Sequence, residues 1–179
     1  MTKIINLMGG PGVGKSSISS GIVYELKKRH ISCDAPYEFP KLLAWDENKS
    51  AIKDQLYVLG NQHRGITKSF GKVDFIVVDS PIILSIVYKD YYQDNEYPSN
   101  LYGDLFNNFI VELFKKYDSI NILLKRTEGL HNIKERYQDI EESKELDIKI
   151  ESVLNEWNIP YHQINVGENT VDDILKIIL

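Results

Sequence analysis

The chain has 179 residues, a formal net charge of −5, 42% hydrophobic and 26% charged residues, and one cysteine. That length suits one domain able to bury a sizeable core, and the lone Cys33 excludes an internal disulfide or a cysteine-built zinc cage. No apolar run nears the roughly 20 residues of a membrane helix, so no membrane partner is expected, and the acidic balance argues against a protein whose main task is gripping long nucleic acid. The expectation is a soluble domain of a reducing, cytoplasmic compartment.

In chain order, Lys3 to Met8 is short, apolar and stopped by Gly9-Gly10, which predicts a buried strand. Lys15 to His30 places Ile18, Ile22, Val23 and Leu26 on one helical face, with Lys27-Lys28-Arg29 in the last turn, where cations suit the helix dipole. Ile31 to Ala35 reads as a second strand before Pro36, and residues 38 to 70 read as largely helical. Val73 to Val78 is the clearest strand; its continuous apolar run fits a parallel sheet covered on both faces. Pro81 to Tyr92 predicts a helix with proline in its first turn, and Gln93 to Asn100 a loop around Pro98.

Leu101, Leu105, Phe106, Phe109, Ile110, Leu113 and Phe114 mark an amphipathic helix. A fourth strand spans Ile120 to Leu124. The charged stretch from Lys125 to Asp147 merges into a helix bearing Leu146, Ile150, Leu154 and Trp157. Tyr161 to Val166 forms a fifth strand and Val171 to Leu179 a closing helix. Five strands separated by helices predict a three-layer α/β fold with a mainly parallel sheet in a single domain.

The strongest motif is Gly9-Gly10-Pro11-Gly12-Val13-Gly14-Lys15-Ser16, a glycine, four residues, then Gly-Lys-Ser, with a strand before it and a helix after it. Such a loop turns successive amides inward, and the helix N-terminus adds partial positive charge. Gly10, Gly12, Val13, Gly14, Lys15, Ser16 and Ser17 are therefore the expected ATP-binding residues. Lys15 would bridge the β- and γ-phosphates and Ser16 would hold Mg2+. Asp79, ending the third strand, either shares that metal or caps the helix that follows.

The loop serves many reactions. A guanine-nucleotide switch needs a late Asn/Thr-Lys-x-Asp element, and the string Asn48-Lys49-Ser50-Ala51 lacks the aspartate. A large ring ATPase needs a longer chain with a helical lid domain. A nucleotide-dependent regulatory ATPase without a small-molecule acceptor stays open beside a small kinase.

With its loop, Glu38-Phe39-Pro40-Lys41, Lys53-Asp54-Gln55-Leu56-Tyr57, Gln62-His63-Arg64 and Val77-Val78-Asp79-Ser80-Pro81, the chain resembles the P-loop nucleoside and nucleotide kinases. It is similar in particular to small phage-type ATP-binding proteins that resemble the nicotinamide riboside kinase domain. That broad group includes phage kinases acting on 5-hydroxymethyluracil bases in DNA. The resemblance implies ATP, Mg2+ and an acceptor of nucleoside or nucleotide type, free or as a modified base in DNA, with phage-encoded origin and action in the host cytoplasm as a possibility it carries. It leaves the oligomeric state undetermined.

Glu38 lies just past the second strand, where a carboxylate could take the proton of an attacking hydroxyl; Asp34 competes for that role. The resemblance implies that Gln55 reads a base edge, an exposed helical glutamine being the alternative, and Arg64 is a candidate clamp for phosphate or acceptor, or else a surface arginine. It also implies a lid over about residues 125–142, whose Arg126 and Arg136 would close over the triphosphate. Tyr37, Phe39 and Trp45 are candidates for stacking a base, with core packing the commoner use of such aromatics. Tyr88, Tyr91, Tyr92, Tyr97 and Tyr102 could line a cleft, with packing again favoured. The four histidines show no metal-ligand spacing. A local basic patch around Arg64, Lys68 and Lys72 would suit a DNA acceptor.

Overall fold

The computed structural model describes residues 1–92, 103–127 and 140–179. Strands β1 (Lys3–Met8), β2 (Cys33–Asp34), β3 (Phe75–Val78), β4 (Ser119–Lys125) and β5 (His162–Asn165) form one sheet in the order β2-β3-β1-β4-β5. Every neighbouring pair is parallel. The chain returns between strands through α1 (Lys15–Lys28), α2 (Phe39–Trp45), α3 (Lys49–Lys53), α4 (Gln55–Ser69), α5 (Leu84–Tyr91), α6 (Gly103–Lys115) and α7 (Ile140–Glu156), and closes on α8 (Thr170–Ile178).

Successive strand residues point to opposite faces, so each apolar strand feeds two cores. Ile4, Met8, Ile76, Val78 and Leu123 pack with Leu59 and Ile66 of α4, Ile86 of α5, Ile110 of α6 and Leu146 and Ile150 of α7. Ile5, Leu7, Val77, Ile122 and Leu124 pack with Ile18, Ile22 and Leu26 of α1 and Ile174 and Ile178 of α8. This is the expected three-layer α/β architecture, with a sheet wholly parallel across its five strands.

One polar pair interrupts the apolar sheet. Asn6 and Asn121 face each other across β1 and β4. The Asn6 Nδ2 donates to Asn121 Oδ1 at 2.9 Å, and Asn121 Nδ2 donates to the Pro160 carbonyl at 3.0 Å. Their bonding satisfies groups that would otherwise be buried at a cost, and it ties the turn before β5 to the sheet centre.

Three elements depart most from their predicted bounds. The long helical stretch after residue 38 breaks into α2, α3 and α4. Glu47 ends α2 with φ of 53°, Asn48 then caps α3 by accepting from the Ala51 N–H at 3.2 Å, and Asp54 caps α4 by accepting from the Tyr57 N–H at 3.1 Å. Short polar side chains thus compete with the helix for its own backbone. The second strand shrinks to Cys33–Asp34, paired with Phe75 and Ile76. The fifth helix begins at Leu84 rather than Pro81, because Leu84, Ser85 and Ile86 donate to carbonyls three residues back in a tighter turn. The loop expected over 93–100 and the first residues of the helix expected from Leu101 lie outside the described residues. Among the described residues no helix is long and apolar enough to cross a membrane.

Candidate functional site

The site is built at the carboxyl edge of the sheet, where β1 runs into the glycine-rich loop and then α1. Gly14 immediately precedes α1 with φ of 96° and ψ of 11°, a left-handed conformation natural for glycine. It turns the chain sharply enough for the helix to start at Lys15, and the first turn of α1 carries no acidic side chain. The unpaired amides and positive end of that helix are suited to an anion. Lys15 is only 8% exposed. Its Nζ donates to the carbonyls of Gly9 at 2.7 Å and Gly10 at 2.9 Å, so the ammonium lies across the start of the loop.

Glu38 stands immediately before α2, half-buried, and its Oε2 accepts from the Ser16 hydroxyl at 3.5 Å. The segment after β2 therefore brings a carboxylate to the loop residue expected to hold a metal. Asp34, the competing carboxylate, is used elsewhere. Its Oδ2 accepts from the Ser69 hydroxyl at the end of α4, and its Oδ1 from the Ala35 N–H at 2.9 Å. Asp34 also pairs with Ile76, three positions before Asp79, which is roughly 10 Å lower along the strand direction.

Asp79 follows Val78, whose strand partner is Asn6, so it sits half-buried at the edge beside the end of β1. The capping alternative for it finds no support: α5 is entered through Ile83 with no side-chain cap bond. Ser80, next in the chain, is buried and held by Gln62 of α4, whose Nε2 donates to the Ser80 carbonyl at 3.0 Å and its Oγ at 2.8 Å. The Gln62 Oε1 is buried without a hydrogen-bond partner among the described residues.

Arg126 leaves the end of β4 toward the loop. Its Nη2 donates to the Pro11 carbonyl at 2.8 Å, and its Nε pairs with Asp147 Oδ2 of α7 at 2.9 Å. Arg136 and most of the expected lid lie outside the described residues.

Of the remaining candidates, Gln55 is 4% exposed and its Nε2 donates to the Ile52 carbonyl at 2.8 Å, joining α3 to α4. A glutamine turned back on its own chain has one fewer donor to offer a base edge. Arg64 is exposed on α4, and its guanidinium forms no ion pair or hydrogen bond with the described residues. Lys68 and Lys72 lie near the far end of α4, where the Lys72 ammonium donates to the Lys68 carbonyl at 2.8 Å. That end precedes β3 and is opposite the loop.

Trp45 and Tyr37 are exposed rather than packed in the core, Trp45 under the Lys41 ammonium at 4.9 Å from its ring centroid. Phe39 meets Tyr57 edge-on at 5.3 Å. Tyr88, Tyr91 and Tyr92 pack on one another, with Tyr88 stacked on Tyr92 at 5.8 Å; Tyr97 and Tyr102 lie outside the described residues. His63 bonds the Tyr117 hydroxyl at 2.7 Å, and burial lowers its pKa from the ordinary value. No cluster of three or more metal-ligating His, Cys, Asp or Glu side chains occurs among the described residues. Two residues escaped the sequence reading as parts of the site: Gln62 was legible only as part of a short string, and Asp147 only as one charge in an acidic stretch.

Comparison with known proteins agrees with this fold. A family model described as an AAA domain matches residues 4–170. No curated protein matches significantly. Among solved structures, a deoxyadenosine kinase from M. mycoides with bound dATP is similar with a TM-score of 0.66 and 20% identity, covering 99% of each chain. The NadR protein in complex with NR is similar with a TM-score of 0.65 and 15% identity, covering 98% of this chain and 51% of that one. The protein thus has a P-loop nucleoside kinase-like fold. The chain belongs to that AAA domain family.

Proposed function

We propose that the protein is a single-domain kinase that transfers the γ-phosphoryl group of ATP to a hydroxyl of a nucleoside-type or nucleotide-type acceptor. The observation that carries this reading is the meeting of Ser16 with Glu38, a loop hydroxyl with a carboxylate delivered from the segment after β2. A carboxylate at that place suits an acceptor hydroxyl, whose proton it would take. The fold likeness to a deoxyadenosine kinase and to NadR with NR bound supports an acceptor of this class.

In this scheme the acceptor oxygen bonds to the γ-phosphorus as the bond from that phosphorus to the β-phosphate bridging oxygen breaks. The hydroxyl proton passes to Glu38, and ADP leaves. Gly10, Gly12, Val13, Gly14, Ser16 and Ser17 shape the cradle with their backbone, and Lys15 turns from the Gly9 and Gly10 carbonyls to the phosphates. The oxygen-only donor set of Ser16 and Asp79 fits Mg2+. When bound, that ion would neutralise charge on the phosphates. Arg126 supplies a further positive charge at the loop, and Arg136 would join it from a lid over about residues 125–142. Gln55 and Arg64 remain candidate acceptor contacts, with Gln62 the better-placed amide because its Oε1 has no partner among the described residues.

A free acceptor is favoured over a base within DNA. The net charge is −5, and Lys68 and Lys72 gather at the end of α4 opposite the loop, away from the site, where they would not lead a polyanion to it. The test is γ-labelled ATP incubated with the protein and separate pools of nucleosides, nucleotides, nicotinamide riboside and 5-hydroxymethyluracil-containing DNA. Label is expected in the nucleoside or nucleotide-type small-molecule pools. Label released only as free phosphate would contradict the kinase reading and favour a regulatory ATPase.

A further inference from the structure

Asp147 of α7 touches the phosphate loop. Its two carboxylate oxygens are divided between two partners: Oδ1 accepts from the Gly10 N–H at 2.5 Å and Oδ2 from Arg126 Nε at 2.9 Å. Arg126 completes the circuit by donating to the Pro11 carbonyl at 2.8 Å. Both members of the ion pair are largely shielded, with side chains 11% exposed for Arg126 and 18% for Asp147, so the pair is less screened than a surface one.

The fit around this circuit is tight. A Cβ on Gly10 would lie 2.7 Å from Asp147 Oδ1 and 2.6 Å from the Ser143 carbonyl oxygen. A Cβ on Gly12 would lie 3.3 Å from Arg126 Nη1. The second glycine of the motif is thus needed for the close approach of α7, and the guanidinium reaches along the loop as far as Gly12. An arginine side chain leaving a strand end has several rotatable bonds and needs something to fix its fork. Here that anchor is a carboxylate from the helix that follows the expected lid.

We infer that Asp147 is a positioning residue for nucleotide binding: it fastens α7 to the phosphate loop and holds the Arg126 guanidinium in place for the triphosphate. This rests on the reading of the loop as an ATP site. The opposing idea is that the Asp147 carboxylate competes with the phosphates for Arg126 and acts as a latch that ATP must displace. The two differ in the sign of one measurement. If Asp147 positions Arg126, removing its charge weakens ATP binding; if it competes, removing its charge tightens binding.

The test is the Kd for ATP of the full chain, measured by titration calorimetry for the wild type, Lys15→Ala, Asp147→Asn, Arg126→Ala and the Arg126→Ala/Asp147→Asn double variant. Asp147→Asn keeps an oxygen for the Gly10 N–H but offers Arg126 no charge. It is expected to weaken ATP binding about tenfold, the scale of one charge-assisted contact. In the Arg126→Ala background the same change is expected to cost less than about twofold, because residues acting through one another are not additive. Asp147→Ser is the second variant, to be read in the same way if the asparagine variant does not fold. Unchanged or tighter binding in the folded variants, or a full tenfold loss in the Arg126→Ala background, would overturn the inference. Failure of the wild type to bind ATP, or wild-type affinity in Lys15→Ala, would overturn the loop reading itself, whereas Lys15-dependent binding indifferent to Asp147 would overturn the positioning role alone.

Discussion

At the scale of single residues, burial and partners separate side chains of the same chemical type. Glu38 and Asp34 are both carboxylates near the end of β2, yet Asp34 is engaged by Ser69 and Ala35 while Glu38 faces Ser16. Lys15→Ala is expected to lower the rate of phosphoryl transfer by on the order of a hundredfold or more, the effect of deleting one group that stabilises developing charge; steady-state rates at saturating ATP check it. Gln62→Ala removes two hydrogen bonds to buried Ser80, and is expected to cost about 1–3 kcal/mol of stability in urea unfolding. The loop residues were legible because glycine spacing followed by Lys-Ser specifies a backbone path by itself. Gln62 and Asp147 were not, because whether an amide or carboxylate serves its own helix or a distant loop depends on tertiary contacts that spacing does not encode.

At the scale of elements, the sheet was readable and its connections were less so. β1, β3 and β4 carry largely apolar runs, β1 and β4 broken by the facing Asn6 and Asn121, and the structure places them as the three central strands. β2, which pairs through two residues at the edge, has too little buried surface to mark its own ends. The helices after it divide where Asn48 and Asp54 capture backbone amides, an outcome that apolar periodicity over 38–70 conceals. The buried Asn6–Asn121 bond joins β1 to β4, and Asn6→Ala would strand the Asn121 oxygen in the sheet. About 1–3 kcal/mol of lost stability is expected, read as a lower urea midpoint.

α4 also carries a pH dependence. Burial holds the His63 pKa below its ordinary value, so the unfolded chain takes up the proton first as pH falls. The contribution of His63 to stability is therefore intact above the ordinary histidine range, about 6.5, and is lost as pH drops through that value toward the depressed folded one. Urea midpoints at pH 7.5 and pH 5.5 are expected to differ more for the wild type than for His63→Gln; an equal difference would contradict the assignment.

At the scale of the whole molecule, the five parallel strands direct the ends of β1 and β3 and the beginning of α1 to one edge, and the segments after β2 and β4 bring Glu38 and Arg126 to the same place. Lys15 and Arg126 stand at the loop, while Lys68 and Lys72 occupy the end of α4 opposite it. On the proposed reading, Lys15 and Arg126 would face a triphosphate, and the net charge of −5 suits a small acceptor better than a polymer. The most direct measurement of phosphoryl transfer is the single-turnover rate from γ-labelled ATP to a nucleoside-type acceptor in Glu38→Gln, alongside its Kd for ATP. Transfer is expected to fall by on the order of a hundredfold, the scale of removing a general base, with ATP affinity within about twofold of the wild type. An unchanged transfer rate would contradict the role of Glu38, and a wild-type chain that releases only free phosphate in the presence of every acceptor would contradict the kinase itself.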